Sequence, residues 1–385
     1  MVARIYLDNL TTTPLSAAAR EAMQPFLAEE FGAAQHLYHE GARAGKAVAR
    51  AREQVASLVG ARRVDEIIFT GSGSEAGNFA IKGAAFAAAD GGRRHLVSSS
   101  AEHPATERSL RFLEQLGWRV TRVGVDATGL VKVSEVQAAL RDDTLLVATH
   151  LSNHDSGAVQ PVAELARLAH GRGALVFCDA MTAGGWVSVS VEQLGVDLLS
   201  LSPHRFFGPK GVGVLYQNAA LTLEPLIHGG RQEDGRRAGT QNVAAIAGAG
   251  VAAEAAGRDL PARAEKCRGL TKLLWRKIHE KIPRVKLNGP PAGADRDPRH
   301  LNLSFAEVDA EALMLRLDLD GVSVSANTGC AARNGKLSPV LLAMGVTPSL
   351  AAGSILLSPS PVQTEAEMSL AAEKIIRAVA KIRAL

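Results

Sequence analysis

The stretch that decides the fold is Glu66–Glu75, EIIFTGSGSE, in which a short apolar run leads into a glycine-rich turn. Residues 66–70 have the pattern of a buried strand, and the turn that follows opens the next helix. A strand, a glycine turn and a helix start present free backbone N–H groups and a positive dipole end to a phosphate. Many α/β turns contain two glycines, so a plain helix cap is the alternative interpretation.

The same alternation of strands and helices continues along the chain. Apolar residues recur at helical spacing between Val48 and Leu58, and residues 161–171 form another helix-length stretch. Further strands are predicted at 95–99, 119–125, 145–149, 174–178, 197–201 and 212–216. This order predicts an α/β fold, with a mainly parallel sheet covered by helices on both faces.

The order of elements changes after about residue 255. The sequence predicts a long charged helix over 261–280, a strand near 301–305, a helix near 309–318, a strand at 321–325 and a final amphipathic helix. We therefore predict a large α/β domain over 15–255. A smaller α+β C-terminal domain would comprise 256–385 together with 1–14.

Composition excludes several classes of protein. The chain has 385 residues, 46% of them hydrophobic, and its net charge of +4 arises from 43 basic and 39 acidic residues without a block of like charge. This balance argues against nucleic-acid binding, and no apolar run is long enough for a membrane helix. The N-terminus lacks the pattern of a secretory signal, and the three cysteines form neither a metal motif nor a disulfide framework, which makes the cytoplasm the expected compartment.

Three segments carry a resemblance to a known family. They are Leu199–Gly211 (LSLSPHRFFGPKG), His228–Asn242 (HGGRQEDGRRAGTQN) and Tyr6–Pro14 (YLDNLTTTP). They resemble the corresponding motifs of NifS/IscS-type cysteine desulfurases, in the class V aminotransferase family. The resemblance covers nearly the whole chain and implies the type I fold of pyridoxal phosphate (PLP)-dependent transferases.

Arg205 stands where the family motif, Ser-x-His-Lys, has the lysine that forms an imine with PLP. A lysine amine can lose its proton and attack an aldehyde, whereas a guanidinium stays charged and is not nucleophilic. Lys210 does not replace that lysine, because the family's Gly-Pro-Lys-Gly turn carries it in addition. The resemblance therefore implies PLP that is not held as a lysine imine, or no cofactor.

The resemblance also assigns the phosphate side of the pocket. Gly73 and Ser74 match the family's Ser-Gly-Ala-Thr-Glu turn, which cradles the phosphate, and Ser202 and His204 match further phosphate contacts. Thr240 would reach the phosphate of the neighbouring subunit, so a homodimer is implied.

The ring side of the pocket follows the family in part. Asp179, at the end of a predicted strand, matches the Asp that pairs with the pyridine nitrogen, and His103 matches the histidine that stacks on the ring, although a lone histidine is more often structural. The family has Asp-Ala-x-Gln here, and this chain has Thr182 at the Gln position. The Thr182 side chain is too short to replace that of the Gln. His154 stands where a cofactor-contacting Asn is expected.

Three further positions concern the substrate. Cys330 lies in a small-residue polar segment typical of a mobile loop, and it matches the family cysteine that takes sulfur from the substrate as a persulfide. The family's two C-terminal arginines, the last of which clamps the substrate carboxylate, are replaced by Leu356 and Pro361. Loss of such a clamp costs several kcal/mol of substrate binding.

Three hypotheses on function follow from these matches and losses. The first is a cysteine desulfurase-like protein without standard catalysis, which acts as a binding, scaffold or sulfur-relay partner for a sulfur acceptor or an iron–sulfur scaffold protein. The second is an enzyme that uses noncovalent PLP, or another phosphorylated ligand, with Cys330 as sulfur acceptor. The third is an active desulfurase. Arg205 itself would either neutralise the buried Asp179 carboxylate or bind a phosphate or other anion.

Overall fold

The computed structural model describes residues 4–384 apart from 90, 292, 294 and 327–336. Within these residues the strands are β1 (Ile5–Tyr6), β2 (Ile67–Thr70), β3 (His95–Ser99), β4 (Arg119–Val123), β5 (Thr144–His150), β6 (Leu175–Asp179), β7 (Leu198–Leu201), β8 (Gly213–Gln217), β9 (Val285–Asn288), β10 (Leu301–Phe305), β11 (Val322–Ser323) and β12 (Ser354–Leu357).

A seven-stranded sheet forms the centre of the larger part, in the order β2-β8-β7-β6-β5-β3-β4. The strands from β7 to β4 pair in parallel, and β8 runs antiparallel to both of its neighbours. The strands other than β4 are almost entirely buried, as expected for a sheet covered on both faces. The predicted α/β class with a mainly parallel sheet is confirmed.

The α-helices of the described residues are α1 (Ala17–Met23), α2 (His39–Val59), α3 (Gly73–Ala87), α4 (Pro104–Gln115), α5 (Val133–Ala139), α6 (Val162–His170), α7 (Val191–Leu194), α8 (Val243–His279), α9 (Ala310–Leu319), α10 (Pro339–Ala343), α11 (Pro348–Ala351) and α12 (Glu365–Arg383). Helices α2, α6 and the first part of α8 contribute to the apolar core on one face of the sheet, and α3 and α4 contribute to a second core. No helix among the described residues is long and apolar enough to cross a membrane.

The helix predicted over 261–280 is wrong at its start. Helix α8 begins at Val243, where Asn242 caps it by accepting a hydrogen bond from the Ala245 N–H at 3.1 Å. It runs through Pro261, a residue that favours the first turn of a helix and removes one backbone hydrogen bond from an interior. Packing of the apolar face before Pro261 on α2 and α1 outweighs this loss. The predicted strand 321–325 is also shorter, since the strand comprises Val322 and Ser323, and Ser325 forms a separate bridge to Leu356.

The C-terminal part has its own core. A three-stranded antiparallel sheet, β12-β10-β9, packs with β1, β11, α9, α12 and the end of α8. Residues of α10 and α11 instead join the core of the large sheet. The proposed boundary at residue 255 falls inside the continuous helix α8, and the division into 15–255 and 256–385 with 1–14 stays a prediction.

Candidate functional site

The site lies at the carboxyl edge of the central sheet. Strand β5 ends at His150 and β6 at Asp179, and these two residues are direct partners in the parallel register. Asp179 also faces Ser200 of β7, which leads two residues later into Ser202 and a 3₁₀ turn over Pro203–Arg205. Since parallel strands end at one edge, the fold brings these predicted residues together.

Arg205 is held tightly by its backbone and only partly by its side chain. Its Nη1 donates to the Thr182 hydroxyl at 2.9 Å, while its buried Nε has no acceptor among the described residues. The Arg205 carbonyl accepts hydrogen bonds from Trp186 Nε1 at 3.0 Å and from Arg299 Nη1 at 3.1 Å. Thr182 thus contacts the residue that replaces the lysine.

Arg205 does not form a direct ion pair with Asp179 within the described part of the chain, so the structure does not show the contact neutralisation considered above. Asp179 Oδ1 accepts the Met181 N–H at 3.0 Å. Burial raises the pKa of Asp179 to about 6, and the Met181 N–H and the Arg205 charge oppose that rise. Burial likewise raises the pKa of Asp8 to about 6, again opposed in part by Arg205. The guanidinium therefore acts on both carboxylates through space.

His103 and His154 form a neutral pair beside Arg205. Their rings meet edge to face, with centroids 5.1 Å apart, and His103 Nδ1 accepts the Ala105 N–H at the start of α4. Burial, together with the charges of His150 and Arg205, lowers the pKa of His154 to about 3. The pKa of His103 is also lowered, first by burial and then by its charged neighbours. At neutral pH both imidazoles are uncharged.

Replacement of His154 by Asn tests whether the folded protein holds the His154 side chain in its uncharged form. Because the folded state holds His154 neutral while an unfolded His titrates near 6.5, the unfolded state binds more protons below that pH. The contribution of His154 to wild-type stability therefore falls as the pH falls from 7 to 5. We expect the free energy of unfolding of His154→Asn, relative to wild type, to rise by about 2 kcal/mol over that interval. Urea unfolding at pH 7 and pH 5 measures the difference in the free energy of unfolding between the variant and the wild type. The same difference at both pH values would contradict a lowered pKa of His154.

A buried contact between a histidine and a glutamate behind this site was missed by the sequence analysis. His150 Nδ1 lies 3.0 Å from Glu102 Oε1, and the Ser99 hydroxyl donates to the same carboxylate oxygen at 2.6 Å. Burial alone would lower the pKa of His150, but the Glu102 charge raises it above its ordinary value. His150 Nε2 lies 3.2 Å from the side-chain amide nitrogen of Asn153 and 3.1 Å from that of Gln160, so the ring is held between Glu102 and these two amides. The adjacent Glu102 and His103 in the sequence were the only available signal.

The predicted phosphate turn is a capped helix start. Ser72, rather than Ser74, caps α3 by accepting the Glu75 N–H at 3.1 Å. A Cβ added at Gly73 would lie 2.1 Å from Ser202 Oγ and 2.2 Å from Met181 Sδ. The family turn quoted above has Ala at this place, so the glycine gives Ser202 and Met181 room to pack directly against the turn.

Of the remaining positions predicted to contact the phosphate, His204 lies in the turn beside Arg205 and Thr240 lies at the surface. His204 Nδ1 lies 3.1 Å from the Thr12 hydroxyl, and burial with the charges of Arg205 and Lys210 lowers the pKa of His204 to about 4. Thr240 is exposed and lines a cavity of about 120 Å³ that also includes Gly71. Its contact with a neighbouring subunit stays a prediction.

The predicted sulfur acceptor, Cys330, lies outside the described residues. Both described cysteines, Cys178 and Cys267, are buried, and burial raises the pKa of each thiol, so neither has the environment of a reactive thiolate. Leu356 is buried within β12, where it pairs with Asn302 of β10. Its neighbours Ile355 and Leu357 belong to the C-terminal core, whereas Leu356 lies on the opposite face of β12.

Arg299 is a second residue that the sequence analysis missed. It is fully buried, and its guanidinium donates to the carbonyl oxygens of Asn9, Thr182 and Arg205 at 2.6–3.1 Å. It also lies 4.3 Å from the ring centroid of Trp186. One side chain therefore joins the N-terminal segment, the loop after β6 and the Arg205 turn.

The residues present do not fit a PLP bound as an imine. Arg205 offers no nucleophilic amine, and its Nη1 already occupies the Thr182 hydroxyl. Asp179 and His103 are retained and could hold a ring without a covalent bond. Among the described residues, no group of three or more His, Cys, Asp or Glu side chains is arranged to hold a metal.

Comparisons with known proteins agree on one family. The profile of the family described as aminotransferase class-V matches residues 5–358. The chain is 40% identical to a cysteine desulfurase IscS of Dictyoglomus turgidum over 100% of this chain and 97% of the relative. It is 38% identical to a cysteine desulfurase IscS of Methanosarcina thermophila over 98% of this chain and 93% of that protein.

Solved structures give the same result. A NifS-like protein superposes with a TM-score of 0.92 at 32% identity and covers 98% of this chain and 100% of its own. The protein SspA in complex with cysteine superposes with a TM-score of 0.82 at 30% identity, over 94% of this chain and 100% of its own.

Proposed function

The chain belongs to the class-V aminotransferase family, and we propose that it is a cysteine desulfurase-like protein that acts in sulfur metabolism without an imine-bound PLP. Its place beside IscS and NifS-like relatives supports a cysteine desulfurase-like function in sulfur metabolism. The step that we propose to be lost is the covalent chemistry of the cofactor. What remains is a binding, scaffold or sulfur-relay role.

The observation that carries this proposal is the guanidinium of Arg205. A Schiff base needs an amine that can lose a proton, and a guanidinium does not provide one. The substrate side points the same way, since neither the buried Leu356 nor Pro361 offers a charge to a carboxylate. Changes at both the cofactor and the substrate contacts support loss of standard turnover.

In this proposal Cys330 receives sulfur from another protein rather than from free cysteine. The low reactivity expected of the buried thiols of Cys178 and Cys267 leaves Cys330 as the acceptor. A homodimer in the cytoplasm, in contact with a sulfur-acceptor or iron–sulfur scaffold protein, completes the proposal. Thr240 is exposed, as a contact across such a dimer requires.

Sulfur transfer in solution tests the relay role. The reduced protein is mixed with an active cysteine desulfurase and L-cysteine, and peptide mass spectrometry locates the added sulfur. We expect one sulfur atom on Cys330 and none on Cys178 or Cys267, with no labelling in Cys330→Ala. Labelling of the buried thiols alone, or no labelling of the wild type under conditions that label a second acceptor protein, would contradict the relay.

A noncovalent cofactor is the alternative that specific residues favour. Asp179, His103 and the start of α3 keep the groups that the family uses for ring and phosphate. Equilibrium dialysis with PLP separates the two proposals. Stoichiometric PLP that is released by dialysis, and is lost in Asp179→Ala, would support an enzyme with a noncovalently bound ligand over the relay.

A further inference from the structure

One edge of the Arg205 guanidinium has no acceptor. Nη1 donates to Thr182, but the buried Nε and the adjacent Nη2 have no partner among the described residues. A buried N–H without an acceptor costs about 1–3 kcal/mol, and native structures satisfy nearly all of them. The free Nε–Nη2 edge therefore calls for a ligand oxygen.

The geometry of that edge favours a planar acid. Two parallel N–H groups of a guanidinium match the two oxygens of a carboxylate. The protein's own carboxylates do not fill the role, because neither Asp179 nor Asp8 forms an ion pair with Arg205 in the described residues. Asp179 Oδ1 is already engaged by the Met181 N–H.

The surrounding charges set the charge of the ligand. Asp179 and Asp8 place negative charge near Arg205, and the nearby positive charge of Arg299 is balanced by Asp297 at 3.6 Å, which together disfavour an anion of charge −2 such as phosphate. The neighbouring His103 and His154 rings contact each other and are uncharged at neutral pH, so they add no positive charge beside Arg205. A singly charged acid is the species that this arrangement tolerates best.

We propose that the Arg205 guanidinium binds the carboxylate of a small organic acid through its Nε–Nη2 edge, beside His103, His154 and Thr182. This assignment rests on the proposed function, because it requires a pocket without imine-bound PLP. The ligand of Arg205 would then be a carboxylate, which differs from the phosphate that the family's glycine-rich turn contacts.

Binding of three small probes to the full-length protein tests the assignment. By calorimetry or ligand-observed NMR, we expect propionate to bind at least roughly tenfold more tightly than propionamide, and more tightly than inorganic phosphate. Arg205→Gln should weaken propionate at least roughly tenfold, whereas Arg258→Gln, at an exposed arginine, should leave it unchanged. Asp179→Asn should strengthen it, since a repelling charge is removed.

Several outcomes would overturn the assignment. They are no propionate binding, equal binding in a folded Arg205→Gln protein, or tighter binding of phosphate than of propionate. Thermal unfolding of each variant establishes that it is folded. Failure of this assignment is distinguishable from failure of the proposed function. Visible imine absorbance would refute the proposed function, whether or not propionate binds. A protein without imine absorbance that does not bind propionate would refute this assignment alone.

Discussion

The purified protein is expected to release no alanine or sulfide from free L-cysteine above background. Desulfurase chemistry in this family begins with PLP, and Arg205 cannot supply the amine that holds it. The apolar Leu356 and Pro361 remove the charge-assisted contacts to the substrate carboxylate as well. We expect turnover to lie at least about a thousandfold below that of an active relative, since the covalent catalyst itself is lost.

An IscS relative, assayed in parallel with added PLP, provides the positive control for this prediction. Cys330→Ala should leave the background of the present protein unchanged, because no catalytic persulfide forms from free cysteine. Measurable sulfide release that disappears in Cys330→Ala would show an active desulfurase, the third of the hypotheses drawn from the sequence.

Arg299→Ala is expected to lower the free energy of unfolding by about 3–5 kcal/mol. The substitution removes the Arg299 donor from the carbonyl oxygens of Asn9 and Thr182 and one of the two donors of the Arg205 carbonyl. It also removes the cation from the face of Trp186. It also leaves Asp297, buried 3.6 Å from Arg299 Nε, without its neighbouring charge. These losses fall on the segments that position Arg205.

Urea unfolding, followed by circular dichroism, measures this effect. Arg258→Ala is the matched control, because that arginine is exposed and pairs with the neighbouring Asp259, and we expect it to change stability by less than about 0.5 kcal/mol. Arg299→Lys should fall between the two, since it keeps the charge but loses the fork. A decrease in the free energy of unfolding of less than about 1 kcal/mol in Arg299→Ala would refute the claim that this side chain holds the three segments together.

The fold could be predicted because the central strands carry their own signal. Residues 95–99 carry two adjacent apolar residues and 301–305 alternate apolar with polar residues, and both form strands with those bounds. The start of α8 could not be placed in the same way. Pro261 is the usual mark of a first helical turn, and only packing on α1 and α2, which is tertiary, carries the helix back to Val243.

The site could be predicted only where a residue acts through its own position in a motif. Asp179, His103 and Arg205 are such residues, and the fold brings them to one edge of the sheet. Arg299 lies 94 residues from Arg205 in the chain, so its bond to the Arg205 carbonyl has no local pattern. The contact between His150, at the end of β5, and Glu102, in the loop after β3, likewise joins segments that are distant in sequence.

Borohydride reduction followed by intact-mass measurement tests the central claim most directly. The protein is incubated with excess PLP, reduced, and weighed beside an IscS relative treated identically. We predict that the mass of this chain stays unchanged, whereas the relative gains one phosphopyridoxyl group. A stoichiometric gain of that group on a lysine of this chain, such as Lys210, would contradict the claim that Arg205 ends covalent PLP chemistry.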